Sequence, residues 1–118
     1  MKKIGFVTTN KVLAQSLAAM VRSHPDWGFE PFLLLNSTQI ALDATILKLD
    51  IAVIDVADTA LEASPETLRR AVPDCRLLLL VPKASRKMAI KAIKSKTADD
   101  FVFYDSSLDY MFAKLAAI

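Results

Sequence analysis

A chain of 118 residues with a net charge of +2 suits one domain, and 53% hydrophobic against 24% charged residues excludes a disordered tail. Single cysteine and histidine residues, Cys75 and His24, leave no disulfide framework, multi-cysteine zinc site or His-rich metal site. Two glycines leave no G-x-G-x-x-G motif and no P-loop, so the usual nucleotide cradles are absent. The apolar run opening at Ile4 is far too short for a signal peptide or a membrane span. A cytoplasmic domain without membrane contact is expected.

The charge is unevenly placed. Lys83, Arg86, Lys87, Lys91, Lys94 and Lys96 fall between Lys83 and Thr97 with no acidic residue among them. The remaining chain holds nine basic and all thirteen acidic residues. One positive face on a weakly acidic body follows.

In chain order, the run Ile4 to Thr8 reads as a first strand. Asn10 then caps a helix on which Val12, Leu13, Leu17, Met20 and Val21 form an apolar stripe. Pro25 and Gly28 break the return loop. There, His24 is expected to be an exposed spectator, while Trp27 and Phe29 cover the sheet edge or a helix end. Pro31 to Leu35 makes the second strand, and Asn36 with Gln39 looks like a capping box before Ile40, Ile46 and Leu47. Ile51 to Asp55 is the third strand. Ser64 followed by Pro65 starts a third helix with Leu68 and Val72, which Pro73-Asp74 ends. Cys75, a small apolar filler, precedes a fourth strand from Arg76 to Val81. Ser85 opens a helix with Met88, Ala89, Ala92 and Ile93. A fifth strand, Phe101 to Tyr104, leads to Ser107 and a last helix with Leu108, Met111, Phe112 and Leu115.

The middle strands are continuously apolar rather than alternating, which fits a parallel sheet covered on both faces. The expected fold is therefore α/β, a (βα)5 doubly wound parallel sheet, and one of the two common strand orders for such sheets is the flavodoxin-like 2-1-3-4-5. In that order a crevice lies outside strands one and three, where Thr8, Thr9, Asn10 and Asp55 gather.

These residues carry a resemblance. Asp50-Ile51-Ala52-Val53-Ile54-Asp55, Lys3 to Asn10 and Ala98-Asp99-Asp100-Phe101-Val102 resemble the third strand, the first strand and the approach to the fifth strand of response-regulator receiver domains. The resemblance to this CheY-like family covers essentially the whole chain. It makes Asp55 the counterpart of the phosphoacceptor and Phe101 that of the switch aromatic. It implies a two-component signalling role. The departures are as informative. Receivers hold magnesium with an acidic pair after strand one, where this chain has Thr8-Thr9. Val81 stands for the hydroxyl residue closing strand four, Tyr104 for the lysine closing strand five, and Asp105 for the following proline.

Phosphoryl transfer depends on positive charge held around the equatorial oxygens, and magnesium is commonly held through one or two carboxylates. Losing one positioned donor in such a site costs about 3–4 kcal/mol, and several are missing together. The expected function is a degenerate receiver: phosphorylation-independent, without catalytic residues, metal or cofactor, acting through protein contacts. A conventional phosphoaccepting receiver using Asp55 stays open. So does a small-molecule binder of flavodoxin-like fold, although Thr8-Thr9-Asn10-Lys11 is short for a phosphate loop.

Three readings of Asp55 remain at this point: a solvated strand-end carboxylate, a phosphoacceptor, or the partner of Lys11 or Lys83 in place of the missing metal charge. The basic stretch reads either as a solvated helix face or as a docking surface. In the docking reading, Lys87, Lys91 and Lys94 line one helix face beside Phe101, Phe103, Tyr104 and Tyr110. A protein partner, an output domain after Ile118 or a second copy fits that surface better than nucleic acid, because no reading helix or aromatic platform accompanies it.

Overall fold

The computed structural model describes residues 1–36, 38–62 and 64–118. Five parallel strands, β1 (Lys2–Val7), β2 (Phe29–Leu34), β3 (Ile51–Asp55), β4 (Arg76–Val81) and β5 (Asp100–Phe103), form one sheet in the order β2-β1-β3-β4-β5. The helices are α1 (Lys11–Arg22), α2 (Ile40–Leu47), α3 (Pro65–Ala71), α4 (Arg86–Lys94) and α5 (Leu108–Ala117). The expected (βα)5 order and strand arrangement are both present.

Alternation along each strand builds two cores. Ile4 and Phe6 of β1, Val53 of β3, and Leu78 and Leu80 of β4 pack with Ala14, Ala18 and Val21 of α1 and Met111 and Leu115 of α5. Val7, Ala52, Ile54, Leu77 and Leu79 face the other way, against Ile40 and Ala44 of α2, Leu68 of α3 and Ala89 of α4. Such double coverage is why β3 and β4 carry no polar residue between their first and last positions. Gly5 is required by a close approach: a Cβ there would lie 2.5 Å from a Leu49 methyl and 3.0 Å from a Leu34 methyl.

Three of the expected caps form. Asn10, Ser64 and Ser107 accept from the backbone N–H groups of Leu13, Thr67 and Tyr110. The capping box at Asn36 does not. Its side-chain oxygen closes a local turn by accepting from the Thr38 N–H and hydroxyl, and Gln39 occupies the N-cap position of α2 without a side-chain bond. Ser85 likewise makes no cap, because a 3-10 turn over Lys83–Ser85 runs directly into α4.

Three of the apolar helix residues also sit elsewhere than expected. Val12 and Ile46 are exposed, since small Ala14, Ala18 and Ala44 bring α1 and α2 against the sheet in their place, and Met88 of α4 is exposed as well. The side chain of Leu108, expected on the α5 stripe, lies outside the described residues. His24 is not a spectator. Its ring stacks on Trp27, which stacks on Phe112, and its Nδ1 lies 2.9 Å from the Met20 carbonyl. Phe29 is buried at the start of β2, and burial pushes the Cys75 thiol up to about 11, as a core filler requires. No helix is long and apolar enough to cross a membrane.

Candidate functional site

Strand order reverses between β1 and β3, so their carboxyl ends open an unfilled crevice. Val7 and Ile54 pair in register, which places Thr8 and Asp55 side by side one residue later. The cleft, about 430 Å3, is lined by Asn10, Leu13, Asp55, Ala57, Asp58 and Tyr104.

Asp55 is only 7% exposed, and both of its oxygens are engaged. The Thr8 hydroxyl donates to Oδ2 at 2.7 Å, and the Tyr104 hydroxyl donates to Oδ1. Tyr104 also accepts from the Ala57 N–H at 3.3 Å, so one phenol ties the end of β5 to the turn after β3. Burial pushes the Asp55 carboxyl above its ordinary value, and the nearby Asp58 charge pushes the same way against the Thr8 bond.

The second carboxylate, Asp58, is a residue that sequence reasoning missed. Its Oδ2 accepts from the Thr9 N–H at 2.5 Å and the Thr9 hydroxyl at 2.7 Å, with the Thr8 hydroxyl 3.3 Å away. Its Oδ1 accepts from the Ala60 N–H at 3.0 Å. The single Thr8 proton serves mainly the nearer Asp55, while the Thr8 oxygen accepts from the Asn10 N–H. Burial works to raise the Asp58 carboxyl, yet the Thr9, Ala60 and Thr8 donors together hold it below the ordinary value. The signal available in the sequence was the pair of hydroxyls. Asp55 answers the buried Thr8 hydroxyl, so the hydroxyl and N–H of Thr9 beside it call for a further acceptor.

Lys11 and Lys83, the partners in one of the three readings of Asp55, do not compensate it. Lys83 pairs with exposed Asp105 at 3.1 Å, and Lys11 is exposed on the first turn of α1. Neither belongs to an ion pair with Asp55 among the described residues. Neutral hydroxyls do the work in their place, at the cost of a raised Asp55 pKa. Val81 is buried at the end of β4 and adds no polar atom to the crevice.

The residues present do not fit the magnesium ion that the fold suggests. Thr8 and Thr9 bring hydroxyls where a hard cation wants carboxylates. They also act as donors, and with Tyr104 and Ala60 they occupy carboxylate lone pairs an ion would use. The described residues contain no group of three or more His, Cys, Asp or Glu side chains able to hold a metal.

On the neighbouring surface Lys87, Lys91 and Lys94 are exposed along α4. Tyr110 is exposed beneath the Lys114 ammonium, whose nitrogen is 5.5 Å from the ring centre. Phe101 and Phe103 are half-buried against the α4 side of the core in an edge-to-face pair, so their rings are only partly available to a partner.

No protein-family profile matches the chain, and no curated protein matches its sequence. Solved structures do. A response-regulator receiver domain protein from Clostridium thermocellum superposes with a TM-score of 0.84 at 15% identity, covering 99% of this chain and 93% of that one. A protein from Burkholderia pseudomallei described as related to pilus assembly gives 0.77 at 24% identity, over 99% and 88%. A two-component response regulator from Clostridium difficile gives 0.80 at 17% identity, over 99% and 94%. With strand order, helical coverage of both sheet faces and crevice all in place, the chain has the CheY-like fold of response-regulator receiver domains.

Proposed function

We propose that the chain is a receiver-like signal-transduction module that works without phosphoryl transfer and acts through protein contacts. One observation carries this reading. Both oxygens of Asp55 are already engaged by Thr8 and Tyr104, where an acceptor would need a free oxygen and an electropositive surround. Tyr104 is a hydrogen-bond donor fixed at the acceptor, but it brings no charge to a phosphoryl group. The module is regulatory rather than catalytic.

Incubation with acetyl phosphate and magnesium is expected to leave the intact mass unchanged. A stoichiometric gain of one phosphoryl group that disappears in Asp55→Asn would overturn the proposal. The same readout rejects the conventional phosphoaccepting alternative when no gain is seen.

A second reading concerns the setting of the module. The 24% identity to the Burkholderia pseudomallei protein described as pilus-assembly-related favours a place in an assembly apparatus. Deleting the gene is then expected to abolish surface pili, and normal piliation in the deletion strain rejects this reading.

A further inference from the structure

The crevice contains a cross-link that the fold itself does not require. The loop after β1 and the loop after β3 are not joined there by sheet hydrogen bonds, yet Asp58 receives both the N–H and the hydroxyl of Thr9 across 49 residues of sequence, with the Thr8 hydroxyl 3.3 Å away. Its other oxygen is fixed by Ala60 on its own loop. Both carboxylate oxygens are therefore engaged by donors from within the chain.

We propose that Asp58 is a built-in staple between these two loops, doing from within the chain the bridging that a bound divalent cation would otherwise do. In a cation site, carboxylates from both loops would converge on one positive charge. Here the polarity is inverted: one anion sits between the loops, and donors converge on it. An Asp58 anion needs no counter-ion, because two hydrogen bonds from Thr9 and one from Ala60 stabilise its charge. The crevice is thereby held in one arrangement whatever the magnesium concentration. This goes beyond the absence of phosphoryl transfer, since a domain can lack that chemistry and still bind a divalent ion at the same crevice.

The inversion also says what would undo it. Placing a carboxylate at position 9 removes a donor and sets two anions within contact distance, which is the situation a hard cation relieves. The staple therefore separates a cation-indifferent chain from a cation-dependent one by a single side chain.

Three measurements on the intact protein test the staple. In native-state hydrogen exchange, Asp58→Ala is expected to speed the Thr9 amide on the order of tenfold, as loss of a charge-assisted bond implies, while central β3 and β4 amides keep their rates. An unchanged Thr9 rate overturns the proposal. The melting temperature of the unmodified protein is expected to be the same in chelator and in millimolar magnesium or manganese, and a cation-dependent rise overturns it. Thr9→Asp is expected to melt lower in chelator and to recover in manganese, and indifference to manganese counts against the inversion. None of these readouts involves a phosphodonor, so failure here and failure of the phosphorylation reading are distinguishable.

Discussion

Asp99→Ala is expected to cost about 3 kcal/mol of folding free energy in equilibrium denaturation, a large share of what a domain of this size holds in reserve. The reason is the number of groups that converge on one carboxylate. Oδ2 accepts from the Arg69 guanidinium at 2.6 Å and from the Leu77 N–H at 2.8 Å, and Oδ1 pairs with Arg76 at 3.4 Å. Arg69 and Asp99 side chains are each only 23% exposed, so this pair is shielded far better than a surface bridge. Arg69 also donates to the carbonyls of Pro73, Cys75 and Thr97. Removing Asp99 thus leaves a half-buried guanidinium and a strand N–H without their anion. Arg76 is 58% exposed, and its contact adds little.

The pH dependence has a definite sign. Burial alone would raise Asp99, but the Leu77 N–H and the Arg69 and Arg76 charges hold it below the ordinary carboxylate value. Its contribution is therefore complete above the unfolded-state pKa, near ~4, and is lost as pH falls through the lower folded value. Asp58 acts in the same direction. Asp55, raised by burial, contributes in the opposite sense: its share is present below the unfolded pKa and lost as pH rises through the folded one. Acid titration of stability should consequently be shallower in Asp99→Ala than in the parent. Parallel acid limbs in the two proteins would refute the assignment.

The same residues show how far the sequence could be read. Continuous apolar strands, helix caps at Asn10, Ser64 and Ser107, and the spacing of Asp55 are local signals, and they specified the elements, while the sheet order and with it the crevice followed from the common doubly wound arrangement and the receiver resemblance. The Asp99-Asp100 pair was legible as a segment entering β5, but its task was not. Asp99 pins β4 beside β5 and Asp100 takes Lys114 from α5 at 3.0 Å, and both contacts depend on residues distant in the chain. The crevice failed to be legible for a related reason. Proximity in sequence nominated Lys11 and Lys83 to balance Asp55, whereas the fold sends Lys83 to Asp105 and supplies hydroxyls instead. Charge balance can be argued from composition; which donor reaches which acceptor depends on loop geometry.

Reversing the charge of Lys87, Lys91 and Lys94 to glutamate is expected to slow capture of an acidic protein partner by tenfold or more while leaving the fold intact. All three are exposed on α4 and lack an ion pair among the described residues, so no contact within the chain is lost. Their effects on the helix also nearly cancel. Lys91 and Lys94 lie in the last turn, where positive charge favours the dipole, and glutamate there costs a few tenths of a kcal/mol each. Lys87 lies in the first turn, which holds no acidic residue, and glutamate there is favourable by a similar amount. Lysines three and four residues apart repel one another, as glutamates at those positions would, so that term is unchanged by the swap. Arg86 and Lys87 are thus cations at the end of α4 where the helix would prefer anions. Stability does not explain them, and steering of an acidic surface is the role proposed for them. Because that steering acts through association rate, added salt should slow capture by the parent protein and have little effect on the variant. Tyr110, exposed beside this surface, is the ring best placed to add contact energy once the partner arrives. Equal capture rates for parent and variant at low salt, with melting temperatures matched, would reduce the basic stripe to a solvated surface.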